Sequence, residues 1–265
     1  MRTLVTVLAM LWCWCGLAQM PPRVMQDMQE AYASIPSAAP SGYSPTNVAG
    51  YNVAAWYRAS DVTTNGATYE MADLTGKGQK MVQATESKFP VGNPTGLNSL
   101  PTISFNGGQG IKVTSAVATN NPYQVVMVMR SHDSGNGDFQ YWFGDGSATR
   151  PMVGFYVTSE NVVLDLDAIT SITASLFTNK WMVYDFVWYE TNQIMFTNSV
   201  QVCATTLASR VLTGWALGER AATTRYSKFD LSELLIYAGS GLPYTNATAW
   251  ADLHTYLNNR YNLTP

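Results

Sequence analysis

From Trp181 to Val202 the chain reads WMVYDFVWYETNQIMFTNSVQV. Side chains on an extended strand point to opposite faces at successive residues. Trp181, Val183 and Val187 therefore share one face, and Met182, Tyr184, Phe186 and Trp188 the other. Neither has the composition of a solvent face. Glu190-Thr191-Asn192 interrupts the run, Gln193 to Phe196 resumes it, and Thr197-Asn198-Ser199 supplies turn residues before Val200 and Val202. Two adjacent strands at the centre of a sheet, with large side chains on both faces, predict two packed sheets.

The same punctuation recurs elsewhere. Residues 53–58 (VAAWYR) read as a strand ended by Ala59-Ser60-Asp61, and Asn65-Gly66 marks a tight turn. A long loop holding Pro90 and Pro94 leads to the strand Thr102-Ile103-Ser104-Phe105, closed by Asn106-Gly107-Gly108. Residues 123–130 (YQVVMVMR) are apolar enough to be buried on both faces; strands over 139–143, 152–158 and 162–166 follow at short, even spacing. That spacing suits antiparallel pairing and leaves no room for helical crossovers. Gly214 to Gly218 opens the last strand pair, which residues 226–237 complete. After Tyr244-Thr245-Asn246, Trp250, Leu253, Leu257 and Tyr261 recur on one face of a helix. The prediction is an all-β domain over residues 48–265, an antiparallel two-sheet jelly-roll sandwich with a short C-terminal helix.

Several segments, in order, resemble the laminin-G-like, concanavalin A-like domains of bacterial and phage surface proteins. They are Trp56, Ala59-Ser60-Asp61, Asp73-Leu74-Thr75-Gly76, Gln83, Pro101 and Phe105-Asn106-Gly107, then residues 226–237 (YSKFDLSELLIY) and the helical Tyr256-Leu257-Asn258-Asn259-Arg260-Tyr261. The chain departs from the family at Met71, where tryptophan is more frequent, at Thr75 in place of serine, and at Asp230 in place of glycine. The resemblance implies a glycan-binding or adhesive module with its site on the concave sheet or the loops above it. On that basis Trp142, Tyr184 and Trp188 are the candidate sugar platform, on the strand face opposite the one assigned to the core, with Asn136, Asp138 and Asp145 as rim partners. Inter-sheet packing is the alternative role for each ring, because aromatic residues dominate cores.

Arg2 and the apolar run from Leu4 to Leu17 predict a signal peptide cleaved after Ala18, the run being too short for a membrane span. Residues 19–47 read as a proline-rich lead-in with one short helix. Cleavage leaves Cys203 alone, so no internal disulfide forms and the thiol is expected to be buried in a strand. With 12% charged residues and a net charge of −3, the chain offers no basic stripe for nucleic acid or for anionic lipid. The expected setting is secreted or surface-exposed, with a glycan or cell-surface polysaccharide as partner. A structural or receptor-binding role in a virion or other extracellular assembly, contacting further protein chains, is the alternative.

Catalysis has thin support. A glycosidase places two carboxyls about 5–9 Å apart across the scissile bond; the nearest approach, Asp165-Leu166-Asp167, has no third acid at the spacing that catalytic relatives of this fold use and reads as a strand-end turn. A hydrolase with unrecognised acids is the second alternative. His132 in a turn-rich loop and His254 on the helix are too far apart in sequence to suggest a metal site or triad. Asp133, Asn136, Asp138 and Asp145 form a candidate calcium site, against the commoner use of loop Asp and Asn in turns. No other cofactor is expected.

Overall fold

The computed structural model describes residues 43–46, 50–113, 121–132, 139–144, 152–156, 161–165, 168–170, 178–206, 211–218, 227–239 and 241–263. The expected signal peptide and lead-in helix fall outside these residues.

The first sheet holds β1 (Val53–Arg58), β5 (Val91–Leu97), β6 (Leu100–Asn106), β8 (Tyr123–Ser131), β13 (Trp181–Tyr189), β14 (Asn192–Thr197), β15 (Val200–Thr206) and β17 (Lys228–Ala238). The second holds β2 (Val62–Thr64), β3 (Tyr69–Met71), β4 (Met81–Gln83), β7 (Ile111–Val113), β9 (Phe139–Gly144), β10 (Met152–Tyr156), β11 (Asn161–Asp165), β12 (Ala168–Thr170) and β16 (Ala216–Leu217). Across the first sheet the order is β15-β14-β13-β8-β17-β6-β5, and across the second β12-β11-β10-β9-β16-β7-β4-β3-β2. The pairings between named strands are antiparallel. β17 serves two neighbours on one side: Lys228 to Leu231 lie opposite β6, and Glu233 to Tyr237 opposite β1.

The punctuation works as read. Asn65 accepts from the Thr68 N–H in the β2–β3 turn, where Gly66 has φ +79°. Asn198 and Ser199, at φ +47° and +66°, form the two-residue hairpin between β14 and β15, the left-handed pair such a turn demands. Cys203 is buried in β15. The proline-bearing loop behaves otherwise: Val91 to Leu97, Pro94 included, forms edge strand β5. An edge strand needs a ladder on one side only, so a residue lacking an N–H is tolerated there.

The first sheet is covered on both faces. Tyr184, Phe186 and Trp188 point with Met127, Met129 and Leu234 into the layer between the sheets. Val183, Val187, Val126, Val128 and Leu235 point the other way, beneath α1 (Ala247–Tyr261), whose Trp250, Leu253, Leu257 and Tyr261 are buried against them. Asn246 caps the helix by accepting from the Ala249 N–H at 3.0 Å, and Asn262 ends it at φ +48°, the usual device at each end.

Candidate functional site

The three proposed platform rings lie in the core. Trp142 and Tyr184 are 0% exposed and Trp188 2%. Trp142 meets Tyr184 edge-on at 5.6 Å, and Trp188 stacks on Tyr123 at 4.8 Å. The partition of side chains between faces is correct, but the face assigned to the ligand is the one packed on the second sheet, while the valine face lies under the helix. Rings enclosed this way offer no face to a sugar. The rim partners Asn136, Asp138 and Asp145, and the calcium candidates Asp133, Asn136, Asp138 and Asp145, lie outside the described residues.

The segments that carry the family resemblance hold the fold together. Asp73 Oδ1 accepts from the Trp56 and Thr75 N–H groups at 3.2 and 3.0 Å, and its Oδ2 from Gln79 N–H at 3.1 Å, closing the loop onto β1. Buried Gln83 donates to the Gly110 carbonyl at 2.7 Å. Glu233, fully buried, accepts from Trp56 Nε1, Tyr256 Oη and Tyr261 Oη at 2.6, 3.1 and 2.5 Å, while Arg260 Nε stands 3.5 Å from it. Burial pushes its carboxyl above the usual range, against the pull of these donors.

A polar row crosses the helix-side face of the same sheet. Ser104, Asp230, Arg130 and Trp181 lie in register on β6, β17, β8 and β13. Ser104 Oγ donates to Asp230 Oδ1 at 2.5 Å, Arg130 Nε to Oδ2 at 2.9 Å, and the guanidinium sits 5.4 Å over the Trp181 ring. His132 Nε2 approaches the same carboxylate to 2.9 Å without the alignment of a hydrogen bond. Burial works to raise the Asp230 pKa, but Ser104, Arg130 and His132 outweigh it and hold the carboxyl below its ordinary value. The charges of this row are matched within it. His254, expected on the helix face, is fully buried with Nε2 3.2 Å from Asp185 Oδ2, again a close approach and not a bond. Gln124 satisfies the other Asp185 oxygen at 2.9 Å.

An open cleft lies elsewhere, at the rim where β2 and β3 of one sheet come close to β5 and β6 of the other. Its volume is about 460 Å³, in the range that small-ligand sites occupy. Phe89 supplies a half-buried ring, backed by the buried Tyr69 with centroids 5.6 Å apart at 45°. Pro90, Pro94 and Pro101 add apolar surface, and Ser60, Thr64, Asn93 and Thr102 bring neutral hydroxyl and amide groups. No lining residue is charged. Tyr69 is buried and its hydroxyl has no hydrogen-bond partner; burial raises its pKa, which keeps the phenol protonated. None of these residues stands out by periodicity. The one local signal is an aromatic residue beside proline, Phe89-Pro90, which reads as loop chemistry until the edge strand is seen.

No protein-family model matches this chain, and no curated protein matches it in sequence. Solved structures do match in shape. Domain 4 of an extracellular arabinanase from Geobacillus stearothermophilus, solved with arabinotriose, superposes with a TM-score of 0.53 at 14% identity, covering 75% of this chain and 98% of that domain. The fold is that of a β-sandwich module. The receptor-binding domain of botulinum neurotoxin type G gives 0.53 at 12% identity, over 78% of this chain and 51% of that one. Trypanosoma rangeli sialidase gives 0.55 at 11% identity, over 89% of this chain and 38% of the enzyme. At these identities the likeness establishes architecture alone. No helix among the described residues is long and apolar enough to cross a membrane.

Proposed function

We propose that this protein is a secreted, non-catalytic glycan-binding module of laminin-G-like type, taking its ligand in the cleft between β2–β3 and β5–β6. The observation that carries the reading is the composition of that cleft: the half-buried ring of Phe89, three prolines and a ring of neutral hydroxyl and amide groups at the sandwich edge. A sugar presents flat C–H faces to aromatic surface and hydroxyls to such polar groups. No carboxyl is among the residues that line the cleft, which favours binding over hydrolysis as the reading, since hydrolysis asks for a pair of acids across the bond. One neighbour in shape adds support for a glycan partner, since it was solved with arabinotriose.

The test is glycan-array binding by the full chain beside Thr64→Trp, which fills the mouth of the cleft from an exposed position. The expected result is glycan binding by the parent and its loss in the variant, with no release of reducing ends from bound polysaccharide. Parental binding that Thr64→Trp leaves intact puts the site elsewhere. Cleavage of the glycan overturns the non-catalytic reading.

A further inference from the structure

We propose that the docking of α1 on the first sheet is proton-sensitive, with His254 and Asp185 as the sensing pair: proton uptake joins them and holds the helix down. Asp185 is the only charged residue in the nine-residue strand WMVYDFVWY, and its side chain is 0% exposed beneath the helix. His254, also 0% exposed, places Nε2 3.2 Å from Asp185 Oδ2, and neither that oxygen nor either imidazole nitrogen makes a hydrogen bond. Gln124 is fixed at both ends, its Oε1 accepting from the Tyr244 N–H at 3.1 Å and its Nε2 donating to Asp185 Oδ1 at 2.9 Å. One carboxylate oxygen is therefore satisfied by a neutral amide, and the other faces the imidazole.

Charge fixes the direction of the response. Burial disfavours an isolated charge, but a proton added to a carboxylate–imidazole pair removes net charge from the core, leaving opposite charges in contact where one negative charge stood alone. An imidazolium also gains from the Trp250 ring, whose centroid is 4.4 Å from that of His254. Once α1 lifts, water takes both groups and the advantage ends. The docked helix thus binds more protons than the lifted one, so its hold weakens as pH rises through the range where imidazoles change charge, about pH 5 to 8. Tyr237 on β17 and Tyr244 before the helix also face this contact, and burial keeps both phenols protonated. Arg260 stands by Glu233, the other buried acid under the helix. Among the described residues, Asp185 is the charged group within ion-pair distance of His254.

The experiment records hydrogen-exchange protection of the α1 amides in the full chain, corrected for intrinsic exchange, at about pH 5.5 and about pH 8, together with an NMR titration of the histidine rings. The chain has two histidines, so His132→Gln assigns the signal of His254. The inference expects the opening constant of α1 to rise about tenfold between the two pH values. That rise should persist in His132→Gln and Glu233→Gln and vanish in His254→Gln. Glu233→Gln is needed because burial raises the Glu233 pKa and gives that acid a pH dependence of the same sign. In Asp185→Asn the His254 ring should protonate at lower pH than in the parent. An opening constant flat with pH, a rise that survives His254→Gln, or a His254 titration unmoved by Asp185→Asn overturns the inference. Should His254→Gln fail to fold, the titrations of the parent and of Asp185→Asn still decide, since asparagine keeps the oxygen that Gln124 bonds.

Discussion

Trp56 donates its indole N–H to the Glu233 carboxylate at 2.6 Å, joining residues 177 positions apart across β1 and β17. Two tyrosines of the terminal helix, Tyr256 and Tyr261, donate to the same carboxylate. One buried acid thus ties the first strand, the longest strand and the helix together, and the segments that resemble the laminin-G-like pattern at the two ends of the chain are the segments that meet there.

Glu233→Ala is therefore expected to cost about 3–5 kcal/mol, since two buried donors and one half-buried donor lose their acceptor. Urea unfolding with an unchanged m-value checks it. Because burial holds the folded-state pKa of Glu233 above its unfolded value, the protonated form favours folding. That contribution is full below the unfolded pKa of about 4.3 and is lost as pH rises through the folded value. Glu233→Gln should flatten this limb of the stability–pH curve.

Asp230 has the opposite sign. Its folded-state pKa is depressed, so its contribution is present above the unfolded value of about 3.9 and disappears as pH falls through the folded one. In Asp230→Asn the acid-side loss of stability should shrink, and an undiminished loss places its origin in other carboxyls.

Tyr57 bridges the sheets. Its hydroxyl donates to the Gln79 carbonyl and accepts from Trp215 Nε1 at 2.9 Å. Tyr57→Phe should destabilise by about 1–3 kcal/mol through the groups left unpaired, measured by calorimetry, without altering glycan binding, because Tyr57 does not line the cleft.

Trp188→Ala separates core from site. Removing a fully buried indole stacked on Tyr123 is expected to cost about 3–5 kcal/mol. Any folded fraction should bind glycan with the parent's affinity. A folded Trp188→Ala protein that has lost binding returns the ring to the ligand site.

The sandwich itself was readable from alternation. Residues 181–189 partition as strands do, the Asn198-Ser199 turn forms where its composition asks for one, and Trp250, Leu253, Leu257 and Tyr261 do share a buried helix face. Local chemistry decides these features, because period, turn dihedrals and capping depend on residues close in sequence. Which face of β13 meets the other sheet was not decided locally: both faces are apolar, and only the docking of a second sheet on one side and α1 on the other enclosed Tyr184 and Trp188. The cleft depended still more on tertiary structure. Tyr69, Phe89 and Asn93 come together because two sheet edges approach each other, and a strand's own sequence carries no record of what lies across from its edge.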